Sequence, residues 1–272
     1  MKTILATFVA FLALGLTSAS AGDVDLTTAE SSGAVTAGVD FFEQIAPSST
    51  GTGVIQSFVR VFRDPQAPNP DLVQGYNTDA RPVQFDENTS AEFTHSLLLS
   101  DVPIVTIDGV AYRQFLLDIN QTGADPLLSL NELQIFVGNT GSPMGATFVG
   151  DGTTLDFESQ ATLIYDMDAG PDGDSTIELD YSLNTGSGSG DMFAYIKDSL
   201  FTGGTFVTLY SKFGEPNNNN DGFEEWAVLT ADGPDEQPTP VPEPTSLVLL
   251  ALGGLGLIGS ARLRRRKEKA AA

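Results

Sequence analysis

Tyr112-Arg-Gln-Phe-Leu-Leu-Asp-Ile-Asn120 and Leu128-Ser-Leu-Asn-Glu-Leu-Gln-Ile-Phe-Val137 are the stretches whose reading decides the fold. Over most of their length odd and even positions separate into apolar and polar residues, the period of two that a strand with unlike faces shows. Just upstream, Asp108-Gly109 stands between Ile107 and Val110. Asp and Gly tolerate the positive φ of a two-residue hairpin turn, so the dipeptide predicts Ile104 to Ile107 folding back on the strand from Ala111 to Ile119.

The same pattern extends in both directions. Val54 to Phe62, Glu92 to Leu99, Leu127 to Val137, Thr147 to Val149, Ala161 to Tyr165, Thr176 to Tyr181, Met192 to Ile196, Thr205 to Phe213 and Glu225 to Leu229 all read as strands. Asp23 to Ser49 carries only a weak strand signal, and the prolines at 65, 68 and 70 predict a long loop to about Pro82. Asp198 to Phe201 reads as one helical turn. About ten short strands punctuated by Gly, Pro, Asn and Asp, with no helical period, predict an all-β fold, an antiparallel β-sandwich that is jelly-roll-like.

Charge and cysteine usage narrow the function. Of the 36 Asp and Glu only Glu243 and Glu268 lie outside Gly22 to Pro240, which leaves thirty-four acidic groups there against six basic ones: Arg60, Arg63, Arg81, Arg113, Lys197 and Lys212. Such a surface repels nucleic acid and anionic lipid, so nucleic-acid binding is excluded. With no cysteine, thiol nucleophiles, thiolate zinc sites and disulfides are excluded too. His95 is the one histidine and lies in a strand-like run without a partner pattern, which argues against a Ser-His triad.

Both ends read as addresses. Met1-Lys2, the apolar run Ile4 to Leu16 and the small residues Ala19-Ser20-Ala21 have the layout of a cleaved signal peptide, 1–21, with Gly22 as the mature N-terminus. After the 22–229 ectodomain and an acidic Pro-rich linker, 230–240, comes Val241-Pro242-Glu243-Pro244. An uncharged run from Thr245 to Ala261 follows, then Arg262, Arg264, Arg265, Arg266, Lys267 and Lys269. As a helix that run of about 17 residues spans about 25 Å, enough for a bilayer, and the basic cluster stays on the cytoplasmic side.

Pro242, Glu243 and Pro244, the apolar helix and the basic tail in this order resemble the PEP-CTERM sorting signal, which covers 241–269 here. The resemblance implies a partner, the membrane-embedded exosortase. It also implies passage through the inner membrane during export, transient anchoring there, and delivery to the cell surface or an extracellular matrix rich in exopolysaccharide.

Three stretches are candidates for chemistry. Asp166, Asp168, Asp172 and Asp174, with Glu178 beyond, crowd carboxylates and glycines in a way that suits calcium, a hard cation that takes six to eight oxygens, although the spacing fails the EF-hand pattern. A solvated acidic turn is the other reading. Asn184-Thr-Gly-Ser-Gly-Ser-Gly190 looks superficially like a phosphate cradle but lacks the P-loop lysine, so an interstrand loop is the plainer reading. Asn217 to Trp226, with Tyr210 and Phe213 near in sequence, offers aromatic faces and amides to a glycan, whereas a lone Trp226 also suits a core.

Three function classes follow: a noncatalytic envelope or matrix protein, the favoured one; a calcium- or carbohydrate-binding module; and a hydrolase working with two carboxylates.

Overall fold

The computed structural model describes residues 22–45, 56–66, 69–150, 152–169, 173–186, 188 and 190–229. The predicted signal peptide, linker and sorting segment lie outside them. In chain order the strands are β1 (Val24–Leu26), β2 (Ser32–Gly33), β3 (Asp40–Gln44), β4 (Ser57–Phe62), β5 (Val73–Tyr76), β6 (Leu97–Leu98), β7 (Ile104–Ile107) and β8 (Val110–Asp118). They continue as β9 (Leu127–Gly138), β10 (Thr147–Val149), β11 (Thr154–Asp156), β12 (Ala161–Asp166), β13 (Ile177–Asp180), β14 (Met192–Lys197), β15 (Phe206–Phe213) and β16 (Phe223–Ala227). The helical pieces among the described residues are single 3-10 turns, one of them the expected turn at Asp198–Leu200. The all-β expectation holds.

One sheet runs β1-β13-β9-β15-β5, with β12 beside the second half of β9 and β6 beside the start of β15. The other runs β2-β3-β14-β8-β16-β4, with β7 folded onto β8. Strand pairs are antiparallel except β1 with β13. The main core lies between the sheets: Leu133, Ile135, Val207, Leu209 and Ile177 from the first face Phe58, Phe115, Leu117, Ala194 and Trp226 from the second. The Asp108-Gly109 hairpin forms as predicted, with φ of 51° and 80° at its two residues and Ile107 opposite Val110.

The 12-residue β9 is the axis of the first sheet. Its pairing with β15 slips between Lys212 and Phe213, so that Lys212 faces Glu132 while Phe213 faces Leu130, and Asn131 is the extra residue of a bulge. The slip reverses the parity of the strand. Leu128 and Leu130 point into the core before it, and Leu133, Ile135 and Val137 after it. The opposite face, half polar in sequence, is buried as well, because β10, β11 and the turn after them fold over it. Phe157 sits edge-on to both Phe136 and Tyr76 at 4.9 Å, and Tyr210 and Leu155 complete a second apolar cluster.

Several expectations need correction. Glu92 to Leu99 is mostly turn, with strand only at Leu97–Leu98. Arg81 takes the carbonyls of Thr89 and Thr94 at 2.9 and 2.6 Å, and Phe93 is turned onto the Arg60 guanidinium at 3.5 Å. Those carbonyls therefore serve a side chain and not a ladder. The loop expected as far as Pro82 contains β5, in which Gly75 lets the strand approach its neighbours: a Cβ there would stand 2.5 Å from Glu87 Cγ and 2.7 Å from Val61 Cγ1. The weak signal before Ser49 hides β1, β2 and β3.

Trp226 is buried, with 1% of its surface exposed, and its indole N–H donates to Ser211 Oγ at 3.0 Å. Truncating it leaves a large cavity and an orphaned hydroxyl, so Trp226→Ala is expected to cost about 3–5 kcal/mol, read as a lower urea midpoint with the far-ultraviolet spectrum retained. A midpoint equal to the wild type's would place the indole outside the core.

Candidate functional site

The bulge at Asn131 has a chemical consequence. It turns Glu132 to the outer face of the first sheet, where β12 ends in Asp166 opposite Gln134 and the next turn, Met167–Ala169, brings up Asp168. One carboxylate oxygen from each of Glu132, Asp166 and Asp168 lies within 4.8 Å of the other two. Backbone amides hold two of the three: Asp168 N–H donates to Asp166 Oδ1 at 2.9 Å, and Ser175 N–H to Asp168 Oδ1 at 2.8 Å. A cavity of about 300 Å³ opens beside them, lined also by Asp174, Lys212 and Glu215.

Electrostatics set the protonation of this group. Glu132 is buried, and this burial, together with the Asp168 charge, pushes its carboxyl up to about 8; Lys212 opposes the shift. Burial likewise raises Asp168 to about 6, against the pull of the Ser175 amide. In its protonated form Glu132 donates to the Asp168 carboxylate, so around neutral pH the two share a proton. The arrangement can hold a proton or a hard cation.

Of the predicted cation ligands, Asp166 and Asp168 come together, Asp174 is exposed on the cavity rim, and Asp172 lies outside the described residues. Glu132 was missed. The signal for it was the break in alternation at Asn131-Glu132, where two polar residues stand side by side in a strand.

The glycan patch is not formed as predicted. Trp226, Tyr210 and Phe213 are all buried and present no ring to a sugar. The asparagine run works inward as well. Asn219 is fully buried and its amide donates to Glu224 Oε1 at 2.5 Å, Asn217 holds Glu178, and Asn220 receives the Thr122 amide at 2.8 Å. The glycine loop cradles an anion, but it is the protein's own: Gly188 and Gly190 N–H donate to the Asp118 carboxylate at 2.9 and 3.1 Å. His95 Nδ1 is bonded to the Ser96 carbonyl at 2.9 Å and not to a nucleophile. The residues Pro242, Glu243, Pro244, Arg262, Arg264, Arg265, Arg266 and Lys267 lie outside the described residues.

Comparison with known proteins gives one family match. Residues 240–267 fit the PEP-CTERM protein-sorting motif. No curated protein and no solved structure matches the chain.

A carboxyl whose folded pKa lies above its unfolded value contributes stability that is fully present below the unfolded pKa and lost as pH rises through the folded one. The contribution of Glu132 is therefore complete below about pH 4.5 and disappears as pH passes about 8. Glu132→Gln, which keeps shape without the charge, is expected to lose less stability than the wild type between those limits in urea midpoints measured across pH without divalent cations. Parallel profiles would mean that Glu132 does not titrate in this window.

Proposed function

We propose that this chain, an exported protein bearing the PEP-CTERM motif at residues 240–267, is a noncatalytic component of the cell envelope or extracellular matrix that exosortase processes. The motif is the observation that carries the reading. It accounts for a C-terminal apolar run closed by Arg262, Arg264, Arg265, Arg266 and Lys267, and for a signal-peptide-like start ending at Ala21, on a chain whose body is otherwise strongly acidic. In this reading the protein passes the inner membrane, is held there by the sorting segment, and is released from it when exosortase acts at Pro242-Glu243-Pro244.

The ectodomain, 22–229, is a jelly roll on this proposal. Strand order supports it: β4-β16-β8-β14 in one sheet and β5-β15-β9-β13 in the other, so that β4 to β5, β8 to β9 and each step from β13 to β16 passes between sheets. Exopolysaccharide is its partner. The contact runs through divalent cations, because the ectodomain's thirty-one acidic groups against six basic ones repel an anionic polymer and the aromatic rings proposed for stacking are buried.

Calcium binding is the second reading, favoured by the carboxylates of Glu132, Asp166 and Asp168 within 4.8 Å of one another.

Intact mass measurement on the extracellular protein tests the sorting. The expected product begins at Gly22 and lacks the apolar run from Thr245, and in cells without exosortase the C-terminal segment stays attached. A secreted form ending at Ala272 in both strains would overturn the reading. For the second reading, calcium is expected to raise the melting temperature more than sodium at matched ionic strength, and Asp168→Asn to reduce the difference; equal effects of the two salts would leave only screening.

A further inference from the structure

On the other sheet a second acidic group is buried more deeply and is less completely satisfied. Asp118 closes β8 and is 1% exposed, and Asp191, 4% exposed, stands just before β14 with its N–H on the Leu117 carbonyl at 2.8 Å. Their core-facing neighbours Leu117 and Met192 pair with each other, so both aspartates point to the outer face, beneath the turn that supplies the Gly188 and Gly190 amides to Asp118. Asp191 Oδ2 accepts from Ile119 N–H at 2.8 Å. Asp191 Oδ1 is buried and has no hydrogen-bond partner at all.

No basic side chain of the body reaches it. Arg60 is committed to Glu225, Arg63 to Asp71 and Arg113 to Asp198. Arg81 is spread over the carbonyls of Thr78, Ala80, Thr89 and Thr94, and Lys212 faces Glu132. Lys197 is at the far end of β14, six residues from Asp191 and so about 20 Å away along the strand. Burial, with the negative charges of Asp118 and Asp180, holds the Asp191 carboxyl well above the usual range against the pull of the Ile119 amide. A carboxyl oxygen buried beside a second carboxyl and given no donor is an unsatisfied polar atom.

We propose that Asp191 and Asp118 bind a divalent cation, with calcium the best fit, beside Gly188 and Gly190. The donors are oxygens, which suit a hard ion, and nothing near them offers the imidazole or thiolate that zinc prefers. Calcium tolerates the irregular geometry of a loop and takes backbone carbonyls, whereas magnesium keeps most of its waters and demands an octahedron. The ion ties the end of β8 to the start of β14 through Asp118 and Asp191. An affinity in the range of extracellular modules, about 10⁻⁴–10⁻³ M, would suffice. The site is independent of the Glu132 group, which belongs to the other sheet.

The test uses the full-length chain in detergent, stripped with a chelator, then given calcium chloride or sodium chloride at matched ionic strength and followed by hydrogen exchange. In the wild type, millimolar calcium is expected to slow exchange in the peptide covering 184–191 at least tenfold, and sodium to leave it unchanged. Asp168→Asn keeps that response, and Asp191→Asn, whose amide oxygen still accepts from Ile119, loses it. No calcium-specific slowing at 184–191 in the wild type overturns the proposal, and so does slowing confined to 164–175 or slowing that persists in Asp191→Asn. Should Asp191→Asn fail to fold, the wild-type and Asp168→Asn measurements decide by the same criteria.

Discussion

The structure depends on a strand that is buried on both faces. β9 pairs on one edge with β13 and then β12, on the other with β15, and the bulge at Asn131 lets it present Leu128 and Leu130 and then Leu133, Ile135 and Val137 to one core. The opposite face would be a wet, half-polar surface if the β10–β11 hairpin did not bring Leu155 and Phe157 down on Phe136. One extra residue in the ladder thus settles which side chains fill the interior and which of the remainder are carried to the outer cleft. Glu132 is polar and adjacent to the slip, so it is carried there.

A second constraint is the shortage of positive charge. In a cysteine-free domain the loops need anchors, and six basic residues cannot supply them. The fold uses carboxylates as receptors for backbone amides instead. Asp40 takes the amides of Val35 and Thr36, Glu87 those of Tyr76 and Phe85, Asp118 those of Gly188 and Gly190, Glu224 that of Asn120, and Asp79 that of Ser96. Each such bond is charge-assisted and closes a loop onto a strand. The cost is desolvation, which raises the Asp40, Glu87 and Glu224 carboxyls. The same economy explains why the glycine-rich and asparagine-rich stretches turn inward: their amides are the donors that buried anions need.

These two constraints bear on function together. A body with few cations and several raised carboxyls has a stability that depends on pH. The motif at 240–267 is that of chains sorted for export. The sorting motif and the acidic carboxyl groups thus occupy separate parts of the chain, the motif at 240–267 and the raised carboxyls in the sandwich.

Period-two patterning in 112–120 and 128–137, the Asp108-Gly109 turn and the absence of helical spacing were enough to establish an all-β chain, because alternation and turn chemistry act over a few residues. The order of Pro242-Glu243-Pro244, apolar run and basic tail identified the address for the same reason, since a sorting signal is read as a linear segment. Strands such as Val73–Tyr76 were hidden because their stability comes from partners far along the chain, and Glu92 to Leu99 was misread because Arg60 and Arg81 reach over it and take up the Phe93 ring and the Thr94 carbonyl. Asp166 and Asp168 were visible as a pair, but Glu132 joins them only when β12 zips onto β9, 34 residues upstream of Asp166. Trp226 suited either a glycan contact or a core, and its side chain lies in the core because β16 is held between β8 and β4. Local sequence determines what each segment can form; which faces meet, and so which carboxylates crowd together and which aromatics disappear, is decided by the register of strands distant in the chain.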